Sequence, residues 1–208
     1  DFRAARGFGQ ATGIDINGEV RGVRPNQGWK RAYFKRPEQE KWFAGETISL
    51  GIGQGYNSFT MLQLAQATAI LANNGIKHVP QLVRGTQDAA TSALQPVPHT
   101  PPQDLGYQRE HVAVVQRALV AVTQGGTSTR VFAGAGYLSG GKTGTAQAVT
   151  IGQKDKYNSA KMQERQRDHA VYIAFAPAHD PQIALAVIVE NAGWGAGVAA
   201  PIARRVFD

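Results

Sequence analysis

The chain has 208 residues, 42% of them hydrophobic, enough for the core of one domain or a large part of a bigger one, and a two-domain arrangement is not expected. Lys and Arg outnumber Asp and Glu by 22 to 15, a net charge of +7, so the surface attracts anions such as nucleic acid, an anionic wall polymer or an acidic membrane face. The lack of cysteine excludes disulfides and thiolate metal sites, and no apolar run approaches the roughly 20 residues that span a bilayer.

The N-terminus, DFRAARGFGQ, lacks the apolar stretch of a signal peptide, and the start without an initiator methionine is expected of a fragment. Residues 1–46 show little periodicity and read as loop with short elements. Trp29, Tyr33, Phe34, Trp42 and Phe43 alternate there with Lys30, Arg31, Lys35, Arg36 and Lys41. Such interleaving can bind single-stranded nucleic acid, but aromatics in an irregular segment more often pin it to its own domain while the charges stay solvated. Gly51, Gly53 and Gly55 alternate in TISLGIGQGYNS without dinucleotide-loop spacing, and they are expected to allow close backbone packing near the central motif described below. A helix follows, capped by Thr60, with Met61, Leu62, Leu64, Ala65, Thr68, Ala69, Leu71 and Ala72 as its apolar face and Asn74-Gly75 as its end.

Residues 76–107 are extended and then proline-rich, a surface excursion. A second helix is predicted over 108–123, where Val112, Val115, Leu119 and Val122 recur at helical spacing and face a sheet, with Gln124-Gly125-Gly126 as the stop. Strands are predicted at 137–150, 169–177 and 182–191, and a C-terminal helix from about 198. Only Ala178, His179, Asp180 and Pro181 separate the last two strands, a hairpin-length link, and their nearly continuous hydrophobicity requires cover on both faces. The expected fold is therefore α+β, an antiparallel sheet flanked by helices on both faces. The charged stretch 151–168 reads as an exposed loop with solvated Lys and Arg.

The chemistry concentrates in Ser139-Gly140-Gly141-Lys142-Thr143-Gly144-Thr145, where glycines leave room for an approaching backbone and a lysine flanked by hydroxyls offers it charge and directional hydrogen bonds. Gly136 to Thr143 also matches the phosphate-loop pattern G-x-x-x-x-G-K-T. A phosphate loop must open a helix, whereas Lys142-Thr143 is followed by Gly144 and an alternating, strand-like run, so that assignment is rejected.

Taken with four further blocks, the motif resembles the transpeptidase domain of class B penicillin-binding proteins, of the elongation-type penicillin-binding protein 2 group, over nearly the whole chain. The blocks are Gly51-Ile52-Gly53-Gln54-Gly55-Tyr56, the extension to Gly141-Lys142-Thr143-Gly144-Thr145-Ala146-Gln147, Tyr157-Asn158 with Glu164-Arg165 to Arg167-Asp168-His169, and Phe175-Ala176-Pro177 with Val189-Glu190-Asn191. The resemblance implies the incomplete β-lactamase/transpeptidase-like fold and a serine acyltransferase that cross-links peptidoglycan stem peptides and is acylated by β-lactams. Its motifs are S-x-x-K, S-x-N and K-[ST]-G. It implies that Lys142 polarises the network around the nucleophile, that the Thr145 N–H is one oxyanion donor, and that Thr143 and Thr145 hold the substrate carboxylate. Ser139, Gly141 and Gly144 complete the expected substrate-binding strand, along which an extended peptide would add. The partners it implies are the stem peptide, β-lactams and, through the parent protein, a membrane glycosyltransferase and elongation-complex proteins on the periplasmic side of the bacterial inner membrane. Nucleic acid, cofactor and metal are not expected. The five histidines show no metal-ligand spacing, and His169 reads as a strand-start residue.

Two motifs are missing. Of six serines only Ser139 has lysine three residues on, and that lysine belongs to the K-T-G itself; no serine has asparagine two residues on. The nucleophile motif needs a helix in which lysine sits one turn from serine, so Ser139 is a decoy. In the family that the chain resembles, both missing motifs precede the segment similar to residues 1–10, and the resemblance therefore implies that residues 1–208 are the C-terminal part of the domain. A different class of function, a non-catalytic basic binding module for nucleic acid or wall polymer, shares the positive surface but leaves the K-T-G-T unexplained. Intact-mass analysis of this chain with a reactive penicillin is expected to show no covalent adduct; a stoichiometric adduct would promote Ser139 to nucleophile.

Overall fold

The computed structural model describes residues 2–148 and 162–208. Short helices α1 (Phe2–Ala5), α2 (Gln27–Tyr33), α3 (Pro37–Glu40) and α4 (Ala44–Gly51) occupy the N-terminal segment, and α5 (Met61–Ala72) follows. The proline-rich excursion holds the small strands β1 (Ile76–Lys77), β2 (Gly85–Gln87), β3 (Leu94–Pro96) and β4 (Gln103–Asp104), with β1 paired to β4 and β2 to β3. Then come α6 (Arg109–Gln124), α7 (Thr129–Phe132), β5 (Gly140–Ala146), β6 (His169–Ala176), β7 (Ile183–Val189) and α8 (Ala199–Phe207).

The main sheet is antiparallel in the order β5-β6-β7. On one face Ala170, Tyr172 and Ala174 of β6 are fully buried against Phe132 of α7 and Ala199, Ala200 and Ala203 of α8. Five alanines at this contact let α8 lie close to the sheet, and the Tyr172 ring supplies the bulk, stacked 6.1 Å from Phe132. Outside that cluster α5 packs on β6 and β7, and α6 packs on β5, so helices flank both faces. β6 and β7 form the expected antiparallel hairpin, with residues 177–182 as the link, slightly longer than the four residues read from the sequence. The first strand is shorter than 137–150, because Tyr137 to Ser139 only lead into it and residues 149–161 lie outside those described. Tyr157-Asn158 and most of the charged stretch therefore also lie outside the described residues.

Two features of the N-terminal half depart from the sequence expectation. α5 has the capping box of Thr60 and Gln63 and ends at Asn74 and Gly75, both at positive φ. Thr68 and Ala72 of the expected face are buried, but so are Gln63 and Gln66, while Ala69 is exposed. The reason is the irregular segment lying on this helix, whose backbone carbonyls need donors. The Gln63 side-chain amide donates to Gln10 O and Arg21 O, each at 2.7 Å, and its oxygen accepts from Thr60 N at 3.1 Å. Likewise α6 buries Val112 and Thr123, whereas Val115 stays 41% exposed.

The second departure is Lys30, 2% exposed rather than solvated. Its ammonium pairs with Glu46, donates to Lys41 O at 2.7 Å and lies within 5.1–6.0 Å of the Phe34, Trp42, Phe43 and Tyr56 ring centres. The other Glu46 oxygen accepts from Phe43 N at 2.8 Å, capping α4. Burial pushes the Glu46 carboxyl up, but the Lys30 and Phe43 hydrogen bonds and the Lys30 charge outweigh it, and its pKa is lowered. Because the folded value is depressed, this stabilisation is complete above the ordinary 4.5 and is lost as pH falls through the lowered value. Glu46→Gln leaves a buried ammonium without a counter-charge. It is expected to cost about 3–5 kcal/mol in urea unfolding at neutral pH, with a smaller deficit in acid.

Candidate functional site

β5 carries the K-T-G run and is an edge of the sheet, with β6 on one side and, among the described residues, no strand on the other. The register pairs Gly140 with Phe175, Gly141 with Ala174, Lys142 with Ile173, Thr143 with Tyr172, Gly144 with Val171 and Thr145 with Ala170. Alternation then places Lys142 on the Ile173 face and Thr143 and Thr145 on the Tyr172 face. Lys142 and Thr145 are exposed and Thr143 and Gly144 are half-buried, so a cation, two hydroxyls and an open backbone edge share one accessible stretch. The Lys142 ammonium donates to Thr143 O at 3.0 Å, and the Thr143 hydroxyl lies 3.3 Å from that of Thr127.

Ser139, Gly140 and Gly141 are buried. The room the two glycines create is filled by the protein itself. A Cβ on Gly140 would lie 2.5 Å from the Phe175 ring, and one on Gly141 would collide with the Tyr172 hydroxyl and lie 2.7 Å from Cζ. That space lets Tyr172 reach the buried Ser128, whose Oγ is 2.9 Å from the tyrosine oxygen. Burial of the phenol raises its pKa, against the opposing hydrogen bond with Ser128, so it stays a neutral structural group. Ser139 is 2% exposed; its carbonyl accepts from Thr123 Oγ1 at 2.7 Å and its hydroxyl is buried, which suits a strand entry and not a nucleophile.

Gly144 is different. A Cβ there would meet Val171 Cβ at an ordinary 3.4 Å, so β6 does not demand glycine. Instead Gly195, in the loop between β7 and α8, approaches so closely that its own Cβ would lie 2.8 Å from Gly144 O. The nearby end of the sheet is closed by residues the sequence singled out. His169 begins β6, its Nδ1 accepts from Asn191 N at 2.9 Å, and Asn191 Nδ2 donates to Arg167 O at 2.9 Å. Gly193 N donates to Asp168 O at 2.8 Å, so the Arg167-Asp168-His169 and Val189-Glu190-Asn191 blocks form one clasp beside Ala146. Gly51 and Gly53 do not pack closely: nothing lies within 4 Å of a Cβ at either, and Gly53 and Gly55 serve positive φ in the turn after α4.

The chain matches the penicillin-binding protein transpeptidase domain over residues 2–208. It belongs to the penicillin-binding protein transpeptidase family. The peptidoglycan D,D-transpeptidase MrdA of Acinetobacter baumannii is 44% identical over 202 residues, covering 97% of this chain and 29% of that protein. The crystal structure of Pseudomonas aeruginosa PBP2 in complex with WCK 5153 superposes with a TM-score of 0.79 at 38% identity, over 100% of this chain and 40% of that one. Helicobacter pylori PBP2, solved in complex with MreC, superposes with a TM-score of 0.75 at 25% identity, over 98% of this chain and 34% of that one. The chain thus spans about three tenths of the curated relative's length. These matches give no support to a basic binding module and confirm the penicillin-binding protein transpeptidase fold.

Sequence reasoning missed Thr127 and Tyr172, and it gave Phe175 only within the Phe175-Ala176-Pro177 block, not as a packing residue. No local signal marks these contacts, since they are a matter of which backbone gap each side chain enters. Gly141→Ala is expected to destabilise the chain by at least about 1–3 kcal/mol in urea unfolding through overpacking at Tyr172. Gly144→Ala should cost less, and equal losses would contradict the packing described here.

Proposed function

We propose that this chain is the C-terminal, K-T-G-bearing part of a peptidoglycan D,D-transpeptidase domain, and that the S-x-x-K nucleophile and the S-x-N motif are supplied from outside residues 1–208. The observation that carries this is Lys142, exposed on an edge strand with Thr143 and Thr145 beside it, in a chain matching the transpeptidase domain from residue 2 to 208.

Each group has a chemical role. The Lys142 ammonium stabilises the negative charge that develops as the serine is activated, and it polarises the hydrogen-bond network around that oxygen. The stem peptide lies extended along the free edge of β5, adding a strand by main-chain bonds. Thr143 and Thr145 receive its terminal carboxylate through their hydroxyls, and the Thr145 N–H donates to the tetrahedral oxyanion together with the N–H of the serine. A β-lactam occupies the same groups and acylates the same serine. Gly140 and Gly141 act by seating β5 on β6.

The parent protein is proposed to work on the periplasmic side of the bacterial inner membrane. No helix among the described residues is long and apolar enough to cross a membrane. An MreC-type scaffold is a natural partner, by analogy with the Helicobacter pylori relative, as is a membrane glycosyltransferase that delivers new glycan.

In a protein joining this chain to the S-x-x-K segment, a reactive penicillin should add stoichiometrically to the serine of that segment. Lys142→Ala should slow acylation by about 10²–10⁴-fold with the fold retained by circular dichroism. Acylation unaffected by Lys142→Ala would remove the lysine from the chemistry.

A further inference from the structure

We infer that the groove running past Trp42, between α1, α2 and α4, is a second binding site, one that holds the glycan of peptidoglycan, a chain of N-acetylated amino sugars bearing stem peptides. This rests on the peptidoglycan reading proposed above.

Two cavities meet at Gln27 and Trp42, which line both. The first, of about 610 Å³, adds Arg3, Asn26 and Thr47 over a floor of buried Pro25 and Leu50. The second, of about 360 Å³, is completed by Arg31, Glu40 and Lys41. Each falls within the range of about 300–1,000 Å³ in which ligand clefts lie, and joined end to end they suit an elongated polymer better than one compact molecule. Among the described residues none beyond Gly51 lines either cavity, so the groove draws nothing from the K-T-G strand.

Trp42 is held in place before any ligand arrives. The Lys41 carbonyl just ahead of it accepts from the buried Lys30 ammonium at 2.7 Å, and the indole Nε1 donates to Thr47 Oγ1 at 2.9 Å. A ring fixed in this way loses little freedom on binding. The C–H face of a pyranose stacks on such a ring, while its hydroxyl and acetamido groups need neutral donors and acceptors close by. The groove provides them. Asn26 Oδ1 is taken by Trp29 N at 2.9 Å, the cap of α2, which leaves the Asn26 amide nitrogen as a donor. Gln27 is exposed and offers both a donor and an acceptor, and Thr47 accepts from Trp42 while keeping its own proton to give.

Charge narrows the choice further. Arg3, Arg31 and Lys41 stand against Glu40 alone, three cations to one anion, which suits a neutral sugar chain whose stem peptides carry carboxylates. Among the described residues lining the groove there is no second carboxylate and no His, Ser or Cys, so it has the means to hold a strand and none to cleave or acylate it.

The test uses the full-length protein, first acylated with a penicillin so that the K-T-G cleft is filled, and measures its binding to uncross-linked glycan strands still carrying their stem peptides by isothermal titration calorimetry. Trp42→Ala should weaken that binding by about tenfold or more and Gln27→Ala by about threefold, while the rate of penicillin acylation stays as in the wild type. Trp42→Phe keeps a ring and should recover most of the loss. No glycan binding by the acylated wild type, or equal binding by Trp42→Ala, would overturn the inference while the acylation itself upholds the transpeptidase reading. A wild type that penicillin does not acylate would remove that reading and this inference with it. Equally tight, Trp42-dependent binding of a single-stranded oligonucleotide would overturn the glycan assignment. If Trp42→Ala does not fold, Gln27→Ala combined with Arg31→Ala carries the same comparison.

Discussion

The arrangement of this chain depends on how closely β5 can approach the rings of β6. Gly140 yields to Phe175 and Gly141 yields to Tyr172, and the phenol so admitted meets Ser128 beyond the strand. A side chain at either glycine would push the strand away from its neighbour, and the exposed residues that follow would move with it. The position of Lys142, Thr143 and Thr145 is thus set by the packing of β5 on β6. Rigid placement of this kind is what a site needs when its donors must already stand where charge develops.

A similar logic governs the N-terminal half, where buried polar groups substitute for regular structure. A segment with few helical or sheet hydrogen bonds can pack against a domain only if its backbone groups find partners there. Gln63 supplies them for Gln10 and Arg21, and the Lys30–Glu46 pair ties α2, the lead-in to α4 and Tyr56 into one aromatic-walled knot. Removing a single partner from such a cluster is costly, because it strands the other away from water. The Gly51 to Tyr56 turn is carried on this knot, with its glycines used for backbone conformation.

Much of the fold was legible because periodicity and end signals act locally. The Thr60 cap, Asn74-Gly75, the apolar run around Ala170 and the short link before Gln182 each specify an element without reference to distant residues. The failures share a cause. Met61, Leu62 and Ala69 look more burial-prone than Gln63, and Lys30 looks solvated, until the segment or ion that each meets in space is known. For the candidate site, a strand through K-T-G-T followed from the residues, but its place at the edge of the sheet and the two aromatic rings that lie where a Cβ on Gly140 or Gly141 would sit did not.

What the sequence determined by itself is therefore the family-bearing pattern, the antiparallel sheet and the strand that sets Lys142, Thr143 and Thr145 in one stretch, since these depend on residue type, spacing and alternation. Tertiary structure decided which glycines are packing devices, why Ser139 is sealed off and why Thr127 stands beside Thr143. The physical reason is that such roles are fixed by contacts between residues far apart in the chain. Tyr172 lies 44 residues from Ser128, and nothing local to either encodes their meeting.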